Sequence, residues 1–305
     1  MRSAVTRYLQ SLFEGRLPNA AEWNEHLVAF HEREDVTGAP LRLLRTSDGS
    51  SSYDTLARRL FALAPEAHSI LDVGCGGGAL LESLRGTYPK GVSLTGIDLS
   101  RDEIDRARKR VPEAMLLCGD VLTVEGPPVA CDVIVSHLSF LSFARLRGIL
   151  ARLRGIIREP GLLAYVVEDP LADNVLFRVL SMLVQLLRER FPMFLPSVPE
   201  SAPMQSDQDI IAINRAAGFV HTRIEQYELL ADCNADQLWE IVRSVYVFGL
   251  LEHSILDTLR DAVLASHARH VGGSGTLQLA MPVRFVTARA EAGKDSTLER
   301  GTDAQ

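Results

Sequence analysis

Cysteine is scarce in this chain of 305 residues: Cys75, Cys118, Cys131 and Cys233 are scattered and form no C-x-x-C pair. That argues against a disulfide framework and for buried or loop thiols in a reducing, cytoplasmic setting. Long apolar runs are also missing. No stretch of about 18 uninterrupted apolar residues is present, so no membrane span is expected. Met1 to Gln10 holds Arg2, Arg7 and polar residues but no apolar core segment, so no signal peptide is expected. Positive charge is in deficit, with 32 Lys and Arg against 39 Asp and Glu and a net charge of −7. A protein whose main partner is nucleic acid usually carries a basic surface, which this balance disfavours. One basic cluster, Arg106, Arg108, Lys109 and Arg110, has the pattern of a solvated helix face. Internal repeats are absent.

Apolar residues make up 47% of the chain, enough for a sizeable core, and charged residues an ordinary 23%. The length suits one large α/β domain, or a core with an accessory region. Residues 1 to 66 show helical spacing in three apolar clusters: Tyr8, Leu9, Leu12 and Phe13; Trp23, Leu27, Val28 and Phe30; Leu56, Leu60, Phe61 and Leu63. Ser47 to Ser52 is predicted to be a flexible break between them. The group forms a helical cap.

Residues 70 to 80 dominate the rest. A short apolar run, Ser69 to Val73, stops at Gly74-Cys75-Gly76-Gly77-Gly78, and Ala79, Leu80, Leu81 and Leu84 resume at helical spacing. This is a strand, a tight loop and a helix start. Glycine permits positive φ and close approach of a ligand to bare backbone, and the new helix presents free N–H groups. Strand-like runs follow at Ser93–Ile97, Ala114–Leu117, Val133–Val135 and Leu162–Val167, separated by helix-like Ala79–Gly86, Arg101–Arg110 and Phe143–Ile157. Ser100 and Glu103 have capping-box spacing. The alternation implies right-handed crossovers and a doubly wound, mostly parallel sheet, with ligands beyond the carboxyl ends of its strands.

After Pro170 the rhythm breaks. Residues 173 to 190 form an apolar helix with Arg178, Ser181, Gln185 and Arg188 on one narrow stripe; the core, a second subunit or an apolar ligand must cover the remainder. Helix-like Asp207–Ala217, strand-like His221–Leu229, amphipathic helices at Ala235–Phe248 and Ile255–Ala268, and a strand at Leu277–Ala288 complete the pattern. Asn234 and Gln237 make a plausible cap. The expected organisation is a cap (1–66), a ligand-binding core (67–170), an apolar lid insertion (171–206), the rest of the core with a helical insertion (207–290), and a polar, disordered tail (291–305).

Gly74 to Ala79 also satisfies a loose G-x-G-x-x-A dinucleotide pattern, which alone is weak. Asp72 shifts the balance. At the end of its strand it would crowd a pyrophosphate, yet it suits an ammonium or amide donor. The pattern Asp72-x-Gly74-x-Gly76-x-Gly78 resembles the first motif of the class I S-adenosylmethionine-dependent methyltransferases. Further matches come in order: Gly96-Ile97-Asp98-Leu99-Ser100, Gly119-Asp120-Val121, Asp132-Val133-Ile134-Val135-Ser136-His137, and Glu159-Pro160-Gly161-Leu162. The last departs from the family at a turn, where a lysine and a second glycine are usual. The resemblance implies a Rossmann-like seven-stranded sheet whose last strand is antiparallel.

It also implies S-adenosylmethionine as cofactor and S-adenosylhomocysteine as product, with Asp72, Gly74, Cys75, Gly76, Gly78, Asp98, Leu99, Asp120, Val121 and Ser136 at the cofactor. Asp98 takes the ribose hydroxyls, a logic shared with dinucleotide sites; Asp120 takes the adenine amino group, with Val121 along the ring. Transfer is an in-line displacement in which alignment is worth about 7–11 kcal/mol, and a base is needed only if the acceptor must lose a proton. His137 is the first candidate, beside the alternative that it packs on the adenine or caps a helix; Glu168 and Asp169 come next. Tyr246 and His253 are read chiefly as packing. His26 with His31, and His267 with His270, lack a third ligand and are read as surface histidines, so no metal is expected.

The amino-base signature Asn/Asp-Pro-Pro-Tyr and the metal-binding acid of catechol-type enzymes are both absent after the fourth strand. The apolar helix 173–190, the proline loop behind it and the N-terminal helices are expected to roof the site, and an apolar roof suits a small, partly hydrophobic or aromatic methyl acceptor, at O, N or C, as in specialised metabolism. Two rivals stay open: a protein that binds the cofactor for a non-methylating or regulatory role, and an interaction protein that dimerises through helix 173–190.

Overall fold

The structure, a computed structural model, describes residues 6–32, 38–125, 130–169, 174–199, 204–271 and 275–291. The remaining residues, among them most of the predicted tail and parts of the predicted lid, lie outside the described residues.

Among the described residues, four helices precede the sheet: α1 (Arg7–Phe13), α2 (Ala20–His31), α3 (Gly38–Leu41) and α4 (Ser52–Leu63). Asn19 and Glu22 form a capping box at the start of α2, and Ser51 caps α4. The predicted flexible break at 47–52 is an ordered turn instead. Thr46 and Gly49 close it by backbone hydrogen bonds, and Arg45 bridges both Ser51 and Leu230. Serine and aspartate there bond to nearby backbone, which is how such residues stabilise turns.

The alternating region is β1 (Ser69–Val73), α5 (Ala79–Thr87), β2 (Ser93–Asp98), α6 (Arg101–Arg110), β3 (Met115–Cys118), β4 (Cys131–His137), α7 (Leu146–Ile156) and β5 (Ile157–Glu168). Then come α8 (Val175–Arg190), α9 (Asp207–Ala216), β6 (Val220–Cys233), α10 (Ala235–Arg243), α11 (Tyr246–Gly249), α12 (His253–His270) and β7 (Leu277–Ala290). The described strands form one seven-stranded sheet in the order β3-β2-β1-β4-β5-β7-β6. Pairings among β1 to β5 are parallel, and β7 runs antiparallel to both neighbours. The order reverses at β1 and β4, the place where a doubly wound sheet opens a crevice at its carboxyl ends. This is the expected architecture.

Successive strand residues face opposite sides, and the core divides accordingly. Ile70, Val133, Val135, Ala164 and Val166 face the cluster made with α1, α2, α4, α5, α8 and α10 to α12. Leu71, Val73, Ile134, Tyr165 and Val167 face the smaller cluster with α7 and α9.

Two expectations about helices change. Ser100 caps α6, but Glu103 does not complete a box; its carboxylate is taken by His31 and Arg106. Asn234 and Gln237 do form the box at α10. The predicted helix Ala235–Phe248 breaks at Ser244, whose hydroxyl donates to the Ile241 carbonyl at 2.6 Å, and Val245 is extended before α11 begins. On α8, Arg178, Ser181, Gln185 and Arg188 are exposed as expected, while Leu176, Val179, Leu183 and Leu187 form a buried stripe within the same chain.

The four cysteines are free thiols, three of them buried. No helix among the described residues is long and apolar enough to cross a membrane.

Candidate functional site

A cavity of about 650 Å³ opens at the carboxyl ends of β1, β2 and β4, under α2, α4, α8 and α11. The glycine loop forms its floor at one end. Gly74 has φ +73°, and a Cβ there would stand 2.6 Å from Ser139 Oγ, so only glycine lets this turn pass under the loop after β4. Gly74 and Cys75 donate their N–H groups to the Ile97 carbonyl, which ties the turn to β2.

Gly78 serves otherwise than expected. It is the N-cap of α5 with φ +80°, does not line the cavity, and would drive a Cβ to 3.1 Å from Ala107. Its glycine allows α5 and α6 to pack closely, and Gly77 takes the cavity position.

Asp72, Gly74, Cys75, Gly76, Asp98, Leu99, Asp120 and Val121 all line the cavity. Asp72 is 1% exposed and neither carboxyl oxygen has a hydrogen-bond partner among the described residues. Burial pushes its carboxyl well above the usual range, and the charge of Asp98 adds to the rise. Asp98 is half-buried; Gly76 N–H donates to its Oδ2 and Ser100 N–H to its Oδ1, both at 2.9 Å. Burial raises this carboxyl too, against the lowering pull of His31 and of those two backbone donors.

Asp120 is more engaged than expected. Its Oδ2 accepts from Arg145 at 2.9 Å and from Asn24 at 3.1 Å, and its Oδ1 accepts from Leu122 N–H at 2.8 Å. A carboxylate has about four acceptor positions, so one remains for a ligand.

Ser136 requires a correction. It is fully buried, its hydroxyl has no partner among the described residues, and it does not line the cavity. Strand alternation is the reason: His137 faces the cavity, so its neighbour faces the α7 side of the sheet. The same alternation separates Glu168 from Asp169. Glu168 lines the cavity, whereas Asp169 forms an ion pair at 2.8 Å with Arg284, which also reaches Asp207.

His137 lines the cavity at 8% exposure. Its Nε2 lies 2.9 Å from Ser52 Oγ, its ring centre lies 4.4 Å from that of Tyr53, and Nδ1 is buried without a partner among the described residues. Burial lowers its pKa to about 3, so the ring is neutral in ordinary conditions. Burial also raises the Glu168 carboxyl.

Histidines paired in the sequence turn out to be mostly structural rather than superficial. His26 is fully buried, with Nε2 at 2.9 Å from the Tyr246 carbonyl and Nδ1 at 2.8 Å from Thr6 Oγ1. The carbonyl can only accept, so Nε2 carries the proton and Nδ1 accepts from the threonine. His267 is buried against the Cys233 carbonyl, and His270 is exposed. His31 sits on the cavity wall, 3.1 Å from Glu103. Although burial pushes Glu103 upward, hydrogen bonds from His31 and Arg106 prevail and hold it at about 2. No group of three or more His, Cys, Asp or Glu among the described residues is arranged for a metal ion.

The basic cluster on α6 is not simply solvated. Arg106 binds Glu103 and the His31 carbonyl, and Arg110 donates to the Gly77 carbonyl in the glycine loop.

Several wall residues have no motif. Tyr53 enters from α4, and Tyr246 from α11, where the break at Ser244 re-aims the chain. Burial pushes the Tyr246 hydroxyl up to about 12, and Ser142 pairs with it. His253 is exposed and stands apart from the cavity. Trp23 Nε1 donates to the Ser142 carbonyl, so α2 is pinned over the loop after β4. Only the apolar spacing of residues 20 to 31 hinted at such a cover.

Residues 70–161 match the methyltransferase domain family. Among curated proteins, the chain is 32% identical over 116 residues to an uncharacterised methyltransferase of Mycobacterium tuberculosis, covering 37% of this chain and 56% of that one. It is 31% identical over 137 residues to trans-aconitate 2-methyltransferase of Afipia carboxidovorans, covering 44% and 53%. The chain thus spans little more than half the length of these relatives. Among solved structures, the YcgJ protein of Bacillus subtilis superposes with a TM-score of 0.52 at 15% identity, covering 78% of this chain and all of that one. That likeness is one of fold.

Proposed function

Because the chain carries a class I S-adenosylmethionine-dependent methyltransferase domain, we propose that it transfers a methyl group from S-adenosylmethionine to a small, partly hydrophobic molecule. The reading is carried by Asp72, a buried carboxyl with two unpartnered oxygens beside a glycine turn whose backbone a ligand can approach. Leaving such a group unsatisfied is costly, and an ammonium or a water bound to one relieves the cost. The cofactor's amino-acid end offers that donor.

When bound, S-adenosylmethionine supplies a methyl group on positively charged sulfur and leaves as S-adenosylhomocysteine. The chain's own residues hold and align. Asp98 and Leu99 take the ribose, Gly74, Cys75 and Gly76 let the chain pass close by, and Asp120 and Val121 flank the base. Apolar side chains of α8 and β7, including Phe177, Leu180 and Met281, wall the far end of the cavity and exclude water. His137 is neutral and so weakly basic that it serves as a hydrogen-bonding group; Glu168, whose burial raises it, is the better proton acceptor.

Calorimetry tests the reading. Wild-type protein should bind S-adenosylmethionine and S-adenosylhomocysteine, and Asp98→Ala should weaken both by about 10- to 100-fold, the loss expected for charge-assisted hydrogen bonds. No binding by the wild type overturns it.

A further inference from the structure

A diagonal of polar side chains crosses the sheet at its carboxyl ends: Asp72 on β1, His137 on β4 and Glu168 on β5. Strand register sets all three on one face. Asp72 pairs with Val135, His137 lies two residues further and pairs with Val166, and Glu168 lies two residues beyond that. All three line the cavity. Among the described residues, Asp72 and His137 Nδ1 are buried without partners, and the Glu168 side chain, whose backbone pairs with β7, has no hydrogen bond or ion pair. Buried polar groups are normally satisfied, so the row is completed by what the cavity holds.

Asp72 lies at the cofactor end of this row. His137 and Glu168 lie past it along the row; the His137 ring packs on Tyr53, the charge of Glu168 is felt at Tyr246, and Phe177 and Leu180 line the same cavity. The other charges on the wall are engaged elsewhere or at its rim. His31 faces Glu103, Asp120 faces Arg145, Arg110 donates to Gly77, and Arg42 and Arg45 are exposed.

We propose that His137 and Glu168 receive the ammonium group of an amine carried on an apolar body, and that this amine is the methyl acceptor. The inference rests on the methyltransferase reading above and names the substrate class within it. An ammonium brings three donors, which suit the Glu168 carboxylate and, in the tautomer whose Nε2–H donates to Ser52 Oγ, the open acceptor Nδ1 of neutral His137. An alcohol brings one donor. A carboxylic acid presents its charge to Glu168 and is repelled.

Burial keeps His137 uncharged, so it does not compete with the ammonium for Glu168. In the reaction the ammonium passes one proton to a Glu168 oxygen, which frees the nitrogen lone pair. The nitrogen–carbon bond then forms as the carbon–sulfur bond breaks and its electron pair returns to sulfur. The positive charge moves from sulfur to the methylated nitrogen, and Glu168 releases its proton to water once the product has left.

Three probes with one apolar body and different heads test this: 2-phenylethylamine, 2-phenylethanol and phenylacetate. Each is titrated calorimetrically into protein first saturated with S-adenosylhomocysteine. The amine should bind about tenfold or more tightly than the other two, and Glu168→Gln should remove that preference. Equal or tighter binding of the alcohol or the acid, absence of amine binding at millimolar concentration, or a preference that survives Glu168→Gln overturns the proposal. The wild-type series decides the matter even where the variant fails to fold. Failure of the initial S-adenosylhomocysteine titration counts against the methyltransferase reading; its success without amine preference counts against this inference alone.

Discussion

The two ends of the cavity are built on different principles. At the glycine-loop end, short strand-to-helix turns supply the wall, and backbone N–H groups of those turns hold the acids: Ser100 and Gly76 on Asp98, and Leu122 on Asp120. Polar groups there are set by backbone geometry. At the far end, the wall is assembled from Tyr53, Leu180, Tyr246 and Met281, which come from four separate elements. Side-chain packing sets that surface, and no local pattern records it. A site of this type can keep one end constant and change the other by altering residues that never touch the glycine loop.

The largest effect expected from this contrast is at Gly74. Gly74→Ala places a side chain at φ +73° and against Ser139, which should destabilise the fold by roughly 2–5 kcal/mol in urea unfolding. Wild-type stability in that variant would show that the turn is more tolerant than its geometry says.

Helix α8 gives the next contrast. Leu183 is fully buried, whereas Leu180 is half-buried at the cavity. Leu183→Ala should cost roughly 2–5 kcal/mol and Leu180→Ala less than about 1.5 kcal/mol, the latter changing acceptor affinity instead. Introducing charge at the half-buried Leu180 and measuring size in solution also tests α8 as a dimer interface. Loss of a dimer with activity kept favours the interface.

Acid should reveal the buried histidines. Burial holds His26 at about 4 and His137 at about 3, while both titrate near 6.5 when unfolded. Between those limits the unfolded chain binds more protons, so stability is full above pH 6.5 and falls as the pH drops toward 4. His26→Gln should remove about two-thirds of a proton on average, or about 0.9 kcal/mol per pH unit, from that slope in unfolding curves recorded from pH 7 to 5. An unchanged slope would mean that His26 does not stay neutral in the fold.

The smallest effect sharpens the division between faces. Ser136→Ala removes a buried hydroxyl without a partner on the side away from the cavity, so cofactor affinity should not change and stability should rise by up to about 1 kcal/mol. A clear drop in cofactor affinity would return Ser136 to the site.

Much of this protein was determined by sequence alone. Strand-helix alternation fixed the parallel sheet, because apolar runs of strand length between helices leave few other ways to bury both faces. The glycine turn and the acids at Asp72, Asp98 and Asp120, which line one cavity, were legible because backbone reversal and a strand end are both local events. Tertiary structure decided the rest. Alternation across one strand sent Ser136 and His137 to opposite faces, and across another sent Glu168 to the cavity and Asp169 to Arg284. A helix break at Ser244 turned Tyr246 from packing into wall. Glu103 left a local capping box for Arg106 and for His31, 72 residues away, because a buried carboxylate gains more from a charged guanidinium than from one backbone N–H. These outcomes depend on which surfaces meet, and spacing along a chain carries no record of that.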